Sequence, residues 1–387
     1  MGLLVSTPVS FENVQSGLLT SLETVYRGRA RRVLESLGHM GDRYYFRLNS
    51  LVSDPNDTLD RIRSRWIEAG LDDRVEGAGF LPVRETPVSQ KGVPVVADKF
   101  AAEAVLHGAH LYAPGVKSCR GLRAGFEASV IDGEGRLAGL GVARQGETSI
   151  LTVRQGVAVE VQQNRFGLPS LMETPWYQEG RIHLQSLPAM VTCAVLDPRP
   201  EDVIVDLNCA PGGKLSYLCQ LSHNRSRILG FDRNDGKLER TRRQLQRLGC
   251  QNYQLLCHDS RYVHLDYGLK ADKVLVDPPC TGLGVTPKLS VETTADDVTN
   301  LASYQKQFLL AASHIVKPGG TIVYSVCTIT GEECEEVAEY GVEELGLVLE
   351  DAEPMIGGRG LDPGGMTQRF DPDVHGSGFF IARFRKR

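Results

Sequence analysis

The stretch "DVIVDLNCAPGGK" at residues 202–214 decides the fold. A short β-branched apolar run ends on Asp206 and breaks at once into a turn of Asn, Pro and two glycines. That is how a fully buried strand ends when it hands over to a helix through a tight loop. Outward from it the same unit recurs as "RILGFD" (227–232), "YQLLCHD" (253–259), "KVLVDPP" (273–279) and "GTIVYSVCT" (320–328). Helical stretches at 235–248 and 301–316 lie between these runs. Strands alternating with helices predict an α/β, Rossmann-like, doubly wound parallel sheet covered on both faces. Ligands of such sheets bind at the carboxyl ends of the strands. Asp206, Asp232, Asp259, Asp277 with Cys280, and Cys327 all fall at such ends.

Each strand end carries a chemical hint. Glycines after the first strand let the backbone approach a ligand and open a helix whose N-terminus favours anions. The dinucleotide pattern G-x-G-x-x-G and the P-loop are both absent, while Asp232 stands where an acid takes ribose hydroxyls, so a ribose-containing cofactor is expected. In "DPPCTGLG" (277–284) the two prolines make a rigid turn that presents a thiol, which suits covalent chemistry on a ring. Methylating C5 of a pyrimidine needs such chemistry, because C5 becomes nucleophilic only after a thiolate adds to C6. Lys214 is the cation available to lower a thiol pKa, and Asp277, sharing a proton, can meet the N3 edge of cytosine. "SVCTIT" (325–330) supplies a second thiol, Cys327, and the residues alone do not order the two.

The 387 residues, 41% of them hydrophobic, are enough for two or three domains. A net charge of -5 argues against nucleic-acid binding by bulk charge. No run approaches the roughly 18 apolar residues of a membrane span, no secretion signal is apparent, and a cytoplasmic location is expected. The opening "MGLLVS" matches the permissive N-myristoylation pattern at Gly2. Nine cysteines without a CxxC pair or a metal-spaced cluster predict reduced thiols and no metal site. Of these, Cys193, Cys219, Cys250, Cys257 and Cys334 read as small residues in apolar or helical surroundings, and the nine histidines show no pairing. Residues 93–166 alternate short strands with turns, with a helix near 98–108 and a hairpin over 127–143 tipped by Asp132-Gly133-Glu134-Gly135. With 9 Lys/Arg against 7 Asp/Glu from Lys91 to Arg165, this segment is mildly basic in an acidic chain. The first segment carries helix-like stretches (11–37, 56–70) around a strand at 43–50. "EECEEVAEYGVEE" (332–344) reads as a solvated helix face, and "RFRKR" (383–387) as a basic tail able to touch phosphate.

Together "DLNCAPGGK", "GFDRN", "CHDSR", "VDPPCTGLG", "LLAASHIVKPGG" and "YSVCTITGEECEEV" resemble the ordered motifs of the Nop/Sun family of RNA (cytosine-5) methyltransferases. "GRIHLQSLPAMVTCAVLDPRPEDVIVDL" (180–207) and "YYFRLNSL" (44–51) are similar to that family's approach to the first strand and its N-terminal element. "VLHGAHLYAPGV" (105–116) is similar to a PUA domain, an RNA-binding pseudo-barrel, which points to the PUA-containing transfer-RNA branch. The resemblance implies an N-terminal α/β domain at 1–88, continued by about 168–190. It implies an inserted PUA domain at 89–167 and an S-adenosylmethionine-dependent catalytic domain at 191–387. It implies that Cys327 is the nucleophile and that Cys280 assists product release, with Asp277 and Lys214 beside the base. It also implies that Cys209, Ala210, Pro211, Gly212, Gly213, Lys214, Leu215, Asp232, Asp259 and Asp277 hold S-adenosylmethionine. The candidate RNA contacts are His107 and Ala109 in the PUA-like stretch, with Tyr112 and Lys117, which flank the "APG" turn and can stack on or pair with an RNA end. The expected partner is transfer RNA, gripped by its 3' CCA end and methylated at cytosine 72 of the acceptor stem; no obligate protein partner and no membrane are expected. Two positions depart from the family pattern. Asn208-Cys209-Ala210 stands for the usual Cys-Ala-Ala, leaving Cys209 no expected role beyond its backbone, and His107 stands where related PUA domains carry arginine. The alternatives are cytosine methylation of ribosomal RNA or another transfer-RNA position, a small-molecule methyltransferase, and a non-catalytic RNA-binding assembly factor.

Overall fold

The computed structural model describes residues 14–387; the Gly2 pattern and the first three residues of the helix-like stretch at 11–37 lie outside them. Strands β1 (Val203–Asp206), β2 (Arg227–Asp232), β3 (Tyr253–Cys257), β4 (Ala271–Val276) and β5 (Val316–Val326) run parallel in the order β3-β2-β1-β4-β5. An antiparallel strand, β6 (Phe379–Arg385), closes against β5. Side chains alternate across the sheet: Ile204, Leu275 and Val323 enter one core, Val205, Val274 and Ile322 the other. Both faces of β1, β4 and the second half of β5 are therefore buried, which is why these read as nearly unbroken apolar runs, while the edge strand β3 is only partly covered. Each fully buried aliphatic contributes about 1.5–3 kcal/mol over its exposed state. Helices α1 (Gly213–Leu221), α2 (Asp235–Arg247) and α3 (Ala295–Ile315) make the crossovers, and α3 starts on a Thr294–Asp297 capping box. A further helix, α4 (Glu335–Glu343), follows β5.

The basic "RFRKR" is mostly strand rather than a loose tail. Arg383 and Arg385 lie in β6 and both pair with Glu350, because the strand next to β6 presents that carboxylate to them.

Ahead of this unit, the strand Arg43–Leu48 lies between Ala78–Pro82 and Ile182–Leu184 in a four-stranded sheet. The chain thus leaves that sheet, builds the whole segment between, and returns to it. The helix expected over 56–70 covers only Pro55–Arg63. It stops where Arg63 Nε donates to the Ala69 carbonyl (3.1 Å) and Gly70 enters a strand. The intervening segment forms a six-stranded sheet in which Val93–Ala97 runs parallel to Glu127–Ile131. Its helix, Lys99–Leu106, is capped by Asp98 (2.8 Å to Ala101 N). The hairpin tip is closed by Asp132, which accepts from Glu134 N (3.0 Å), Arg136 N (2.8 Å) and Arg136 Nε (2.7 Å). No helix among the described residues is long and apolar enough to cross a membrane.

Candidate active site

The turn after β1 is built by backbone. Gly212 holds φ +100°, a conformation that L side chains rarely adopt, and α1 begins at the next residue. A Cβ at Gly230 of β2 would lie 2.6 Å from Leu215 and 3.0 Å from the Cys209 sulfur. Cys209 is thus walled in behind the turn, where burial pushes its thiol well up. Asp206 is buried as well, and desolvation raises its carboxyl to about 7 despite the Asn208 N–H at 3.1 Å. Asp232 stays partly open, with one oxygen accepting from Asn234 N (2.8 Å). Asp259 turns back on Arg261, which binds both its oxygens (2.6–3.2 Å) and holds its carboxyl below the usual range.

Two buried residues of the N-terminal sheet support this turn, and sequence reading missed both. Arg47 donates to Ser216 Oγ (2.8 Å) and reaches the Gly213 carbonyl (3.4 Å) in the first turn of α1; burial lowers its pKa to about 10. The ring of His183 lies against Gly213, kept neutral by burial and by Arg47 and Arg247.

Across β4 and β5 the site is built by side chains. Lys214 Nζ lies 2.6 Å from Asp277 Oδ2, and Ser325 Oγ donates to Asp277 Oδ1 (3.0 Å). Burial disfavours the Lys214 ammonium, but Asp277 outweighs it and the pKa is raised. The Cys280 and Cys327 sulfurs are 3.3 Å apart, both half-buried, as free thiols. Cys327 is the more acidic of the two: the Cys280 hydrogen bond lowers it first, and Lys214 and Lys288 add to this against burial and Asp277. Cys280 moves the opposite way, raised by the same hydrogen bond, by burial, by the charge of Cys327 and by Glu333. Gly282, at φ +64°, turns the loop of "DPPCTGLG". Gly284 N donates to the Cys327 carbonyl (3.0 Å), and a Cβ at Gly284 would lie 2.0 Å from the Gly378 carbonyl.

A cleft of about 950 Å³ opens between all three parts of the chain: Arg43 and Tyr44 of the N-terminal sheet, His107 of the six-stranded module, and Phe370 and Ser377 of the catalytic part. Its walls stop short of the thiols. They meet the reactive end through Gly378, next to Ser377, whose N–H donates to the Gly284 carbonyl (2.7 Å). His107 lies in this cleft, its ring 6.2 Å from that of Tyr44 and its pKa lowered by burial to about 4. Tyr112 (51% exposed) and Lys117 face solvent instead, and Ala109 is half-buried. The candidate RNA contacts therefore divide between a cleft wall and an outer surface. Phe100, 79% exposed in the first turn of its helix, joins the outer group. An aromatic on the polar side of an amphipathic stretch was the signal for it.

Three expectations fail. The acidic stretch is not all solvated: Glu336, Glu339, Glu343 and Glu344 are exposed, but Glu333 is fully buried and Glu335 reaches Arg369 (3.4 Å). Cys257 is exposed at the end of β3 rather than apolar in setting, while Cys193, Cys219, Cys250 and Cys334 are buried. Histidines do pair: the rings of His264 and His314 stack at 5.0 Å, since α3 packs on the turn that carries His264.

The donor set fits S-adenosylmethionine. An open carboxylate on Asp232 suits ribose hydroxyls, and the free N–H groups at the start of α1, over a glycine turn, suit a carboxylate.

Residues 193–385 match the family described as 16S rRNA methyltransferase RsmB/F, and residues 94–164 match the PUA domain. A tRNA (cytosine(72)-C(5))-methyltransferase of Pyrococcus horikoshii is 38% identical over 369 residues, covering 92% of each chain. The mouse tRNA (cytosine(72)-C(5))-methyltransferase NSUN6 is 31% identical over 74% of this chain and 67% of its own. The crystal structure of NSun6 from Pyrococcus horikoshii with SFG superposes at a TM-score of 0.87 with 35% identity, covering 96% of this chain and 98% of that one. The chain belongs to the RsmB/F (Nop/Sun) family of S-adenosylmethionine-dependent RNA (cytosine-5) methyltransferases, in its PUA-containing branch.

Proposed function

We propose that this enzyme methylates C5 of cytosine 72 in the acceptor stem of transfer RNA, in the cytoplasm, with the PUA domain holding the 3' CCA end. The observation that carries the chemistry is the thiol pair, 3.3 Å apart at the ends of β4 and β5, beside the Lys214–Asp277 pair (2.6 Å). The substrate is carried by the relatives named above, both of which bear that activity in their names. The proposed units are 1–88 with 168–190, the PUA domain at 89–167, and the catalytic domain at 191–387. The turn at 209–215, Asp232 and Asp259 hold the cofactor.

In this reading the target base leaves its pair and flips into the site. The Cys327 thiolate adds to C6, forming an S–C6 bond as the C5=C6 double bond opens and electron density builds toward N3. The proton shared by Lys214 and Asp277 meets that density. Bound S-adenosylmethionine supplies an electrophilic methyl group. C5 is the carbon placed to take that methyl, the methyl–sulfur bond breaking and S-adenosylhomocysteine leaving; Cys280, having released its own proton to solvent, removes the C5 proton, and the S–C6 bond breaks. Cys327 returns to thiolate and Cys280 to thiol, with one proton released per turnover. His107 lines the cleft on the way to the site, while Tyr112 and Lys117, with Ala109, face the RNA end; an aromatic can stack on a terminal base.

The test uses transfer-RNA transcripts on denaturing gels. Cys280→Ala is expected to accumulate a covalent protein–RNA adduct and Cys327→Ala to form none. The reverse pattern overturns the assignment of roles. Removing CCA from the transcript is expected to raise KM at least about tenfold with kcat little changed; an unchanged KM would remove the PUA domain's part.

A further inference from the structure

One carboxylate in the acidic stretch after Cys327 does not face solvent. Glu333 is fully buried, and its side-chain partners are all neutral. Its Oε1 accepts from Thr281 N (2.9 Å) and Gln305 Nε2 (2.9 Å). Its Oε2 accepts from the hydroxyls of Thr281 (2.6 Å), Thr328 (3.1 Å) and Thr330 (3.1 Å). A carboxyl group buried among neutral partners is costly to desolvate, and apolar packing of the same volume would serve stability as well. The fivefold coordination points to geometry as the reason for its presence.

What the carboxylate holds is specific. Thr281 follows Cys280 and Thr328 follows Cys327; with the Thr281 proton on Glu333, the Thr328 hydroxyl shares its proton between the carboxylate and Thr281 Oγ (2.7 Å). On the other side of Cys280, the Pro279 carbonyl accepts from Gln305 Nε2 (3.0 Å). Gln305 is fixed in turn by the Tyr324 hydroxyl of β5 (2.9 Å), which also lies 2.7 Å from the Glu333 carbonyl. The chain leaving β4 and the chain leaving β5 are therefore tied to one point at the level of the two sulfurs.

We infer that Glu333 is a positioning residue for methyl transfer: by binding Thr281 and Thr328 at once, its buried carboxylate sets the separation and orientation of the Cys280 and Cys327 sulfurs. This rests on the reading of Cys327 as nucleophile and Cys280 as its partner in release. Glu333 touches neither base nor cofactor. Its negative charge is also one of the influences that keep Cys280 protonated, after the Cys327 hydrogen bond, burial and the Cys327 charge.

The test compares Glu333→Ala, Glu333→Gln and the double variant Thr281→Val/Thr328→Val with wild type in single-turnover methylation of a transfer-RNA transcript. Adduct formation on denaturing gels, S-adenosylmethionine affinity and melting temperature are measured alongside. Glu333→Ala is expected to lose at least about 30-fold in methylation rate, because an ångström of misplacement of reacting groups costs that much or more. RNA KM and cofactor affinity should stay within about threefold of wild type. The double valine variant should behave in the same direction. Glu333→Gln keeps the shape and the Oε1 contacts, so its rate should return to within about fivefold of wild type. Its release step should also become effective at lower pH, since the charge that holds the Cys280 proton is gone.

A folded Glu333→Ala enzyme with wild-type rate overturns the inference. So does a set of variants, Gln included, in which rate, cofactor affinity and melting temperature fall together. If Glu333→Ala does not fold, Glu333→Gln and the valine pair decide: wild-type rate and an unmoved pH profile in both overturn the inference. The wild-type control separates the two levels of the argument. A wild-type enzyme that forms no Cys327-dependent adduct sinks the underlying reading, whereas a normal wild-type adduct with indifferent Glu333 variants sinks the positioning role alone.

Discussion

Along one edge of the parallel sheet stand two stations made by different means. After β1 and β2 the chain shapes the turn proposed for the cofactor with backbone: a left-handed Gly212, a flush Gly230, and the N-terminus of α1. After β4 and β5 it places two sulfurs with side chains: Lys214, Asp277 and Ser325 on one side, Glu333 with three threonines on the other. A backbone station needs little beyond a strand end and the right glycines. A side-chain station must bring together groups far apart in sequence, since 47 residues separate the thiols. Errors at the first should therefore show as lost binding, and errors at the second as lost rate.

The sharpest way to break this contrast is Lys214→Met, because Lys214 belongs to both stations. It lies in the first turn of α1, yet its ammonium sits on Asp277 and favours the Cys327 thiolate. Removing it leaves the Asp277 carboxylate without its cation and takes one of two lysines from the field at Cys327. The methylation rate is expected to fall by about 10² to 10³. The pH at which adduct formation reaches half its maximum should move upward, because a thiol with less positive charge nearby ionises later. A rate loss without any move in the pH profile would show that Lys214 acts on the cofactor side alone.

Next in size comes Arg47→Met, at the cofactor station. Arg47 is fully buried, its Nε has no partner, and it sits under the positive end of α1. Burial of an unpaired cation works against stability, and Ser216 Oγ also donates to the Gly213 carbonyl (2.9 Å), so removing Arg47 orphans little. The melting temperature is expected to stay within a few degrees or to rise. Affinity for S-adenosylmethionine should weaken by about tenfold, since a buried positive charge beneath the turn strengthens its pull on an anionic group. An analogue lacking the carboxylate should lose little, and kcat at saturating cofactor should hold. A fall in kcat at saturation would break the division between the two stations.

How much of this was legible beforehand follows from the same physics. The parallel sheet was, because strands buried on both faces must be apolar at every position, and Asp206, Asp232 and Asp277 announce themselves as acids ending such runs. The structure brings Lys214, Asp277, Cys280 and Cys327 together as the strand ends required. Ser325 was hidden in plain view inside "SVCTIT", since a serine in a strand has no signature until its partner, Asp277, is placed. Glu333 was misread because a charge run is ordinarily a solvated face. Its burial depends on Gln305, contributed by a different helix, and on Thr281 from a different loop. Arg47 and His183 escaped for a similar reason: both belong to a sheet whose strands flank the inserted module, so no local pattern links them to the turn at 212. Phe100 and Tyr112 stay individually silent, because one exposed aromatic looks the same whether or not a base stacks on it.

The smallest expected effect examines the thiol station from within. The hydrogen bond from Cys280 is the leading influence that makes Cys327 the more acidic sulfur, with Lys214 and Lys288 behind it. Cys280→Ala removes that donor but leaves both lysines, so Cys327 should titrate higher. Adduct formation in this variant, which on the proposed roles traps the adduct for lack of release, should therefore need more alkaline conditions than the first turnover of wild type while reaching a similar plateau. The sign follows from the thiolate being the attacking form: raising its pKa lowers the reactive fraction at any pH below the new midpoint. Were the midpoint unmoved, the lysines alone would set the nucleophile's ionisation. The 3.3 Å sulfur contact would then matter for removing the C5 proton and not for preparing the attack.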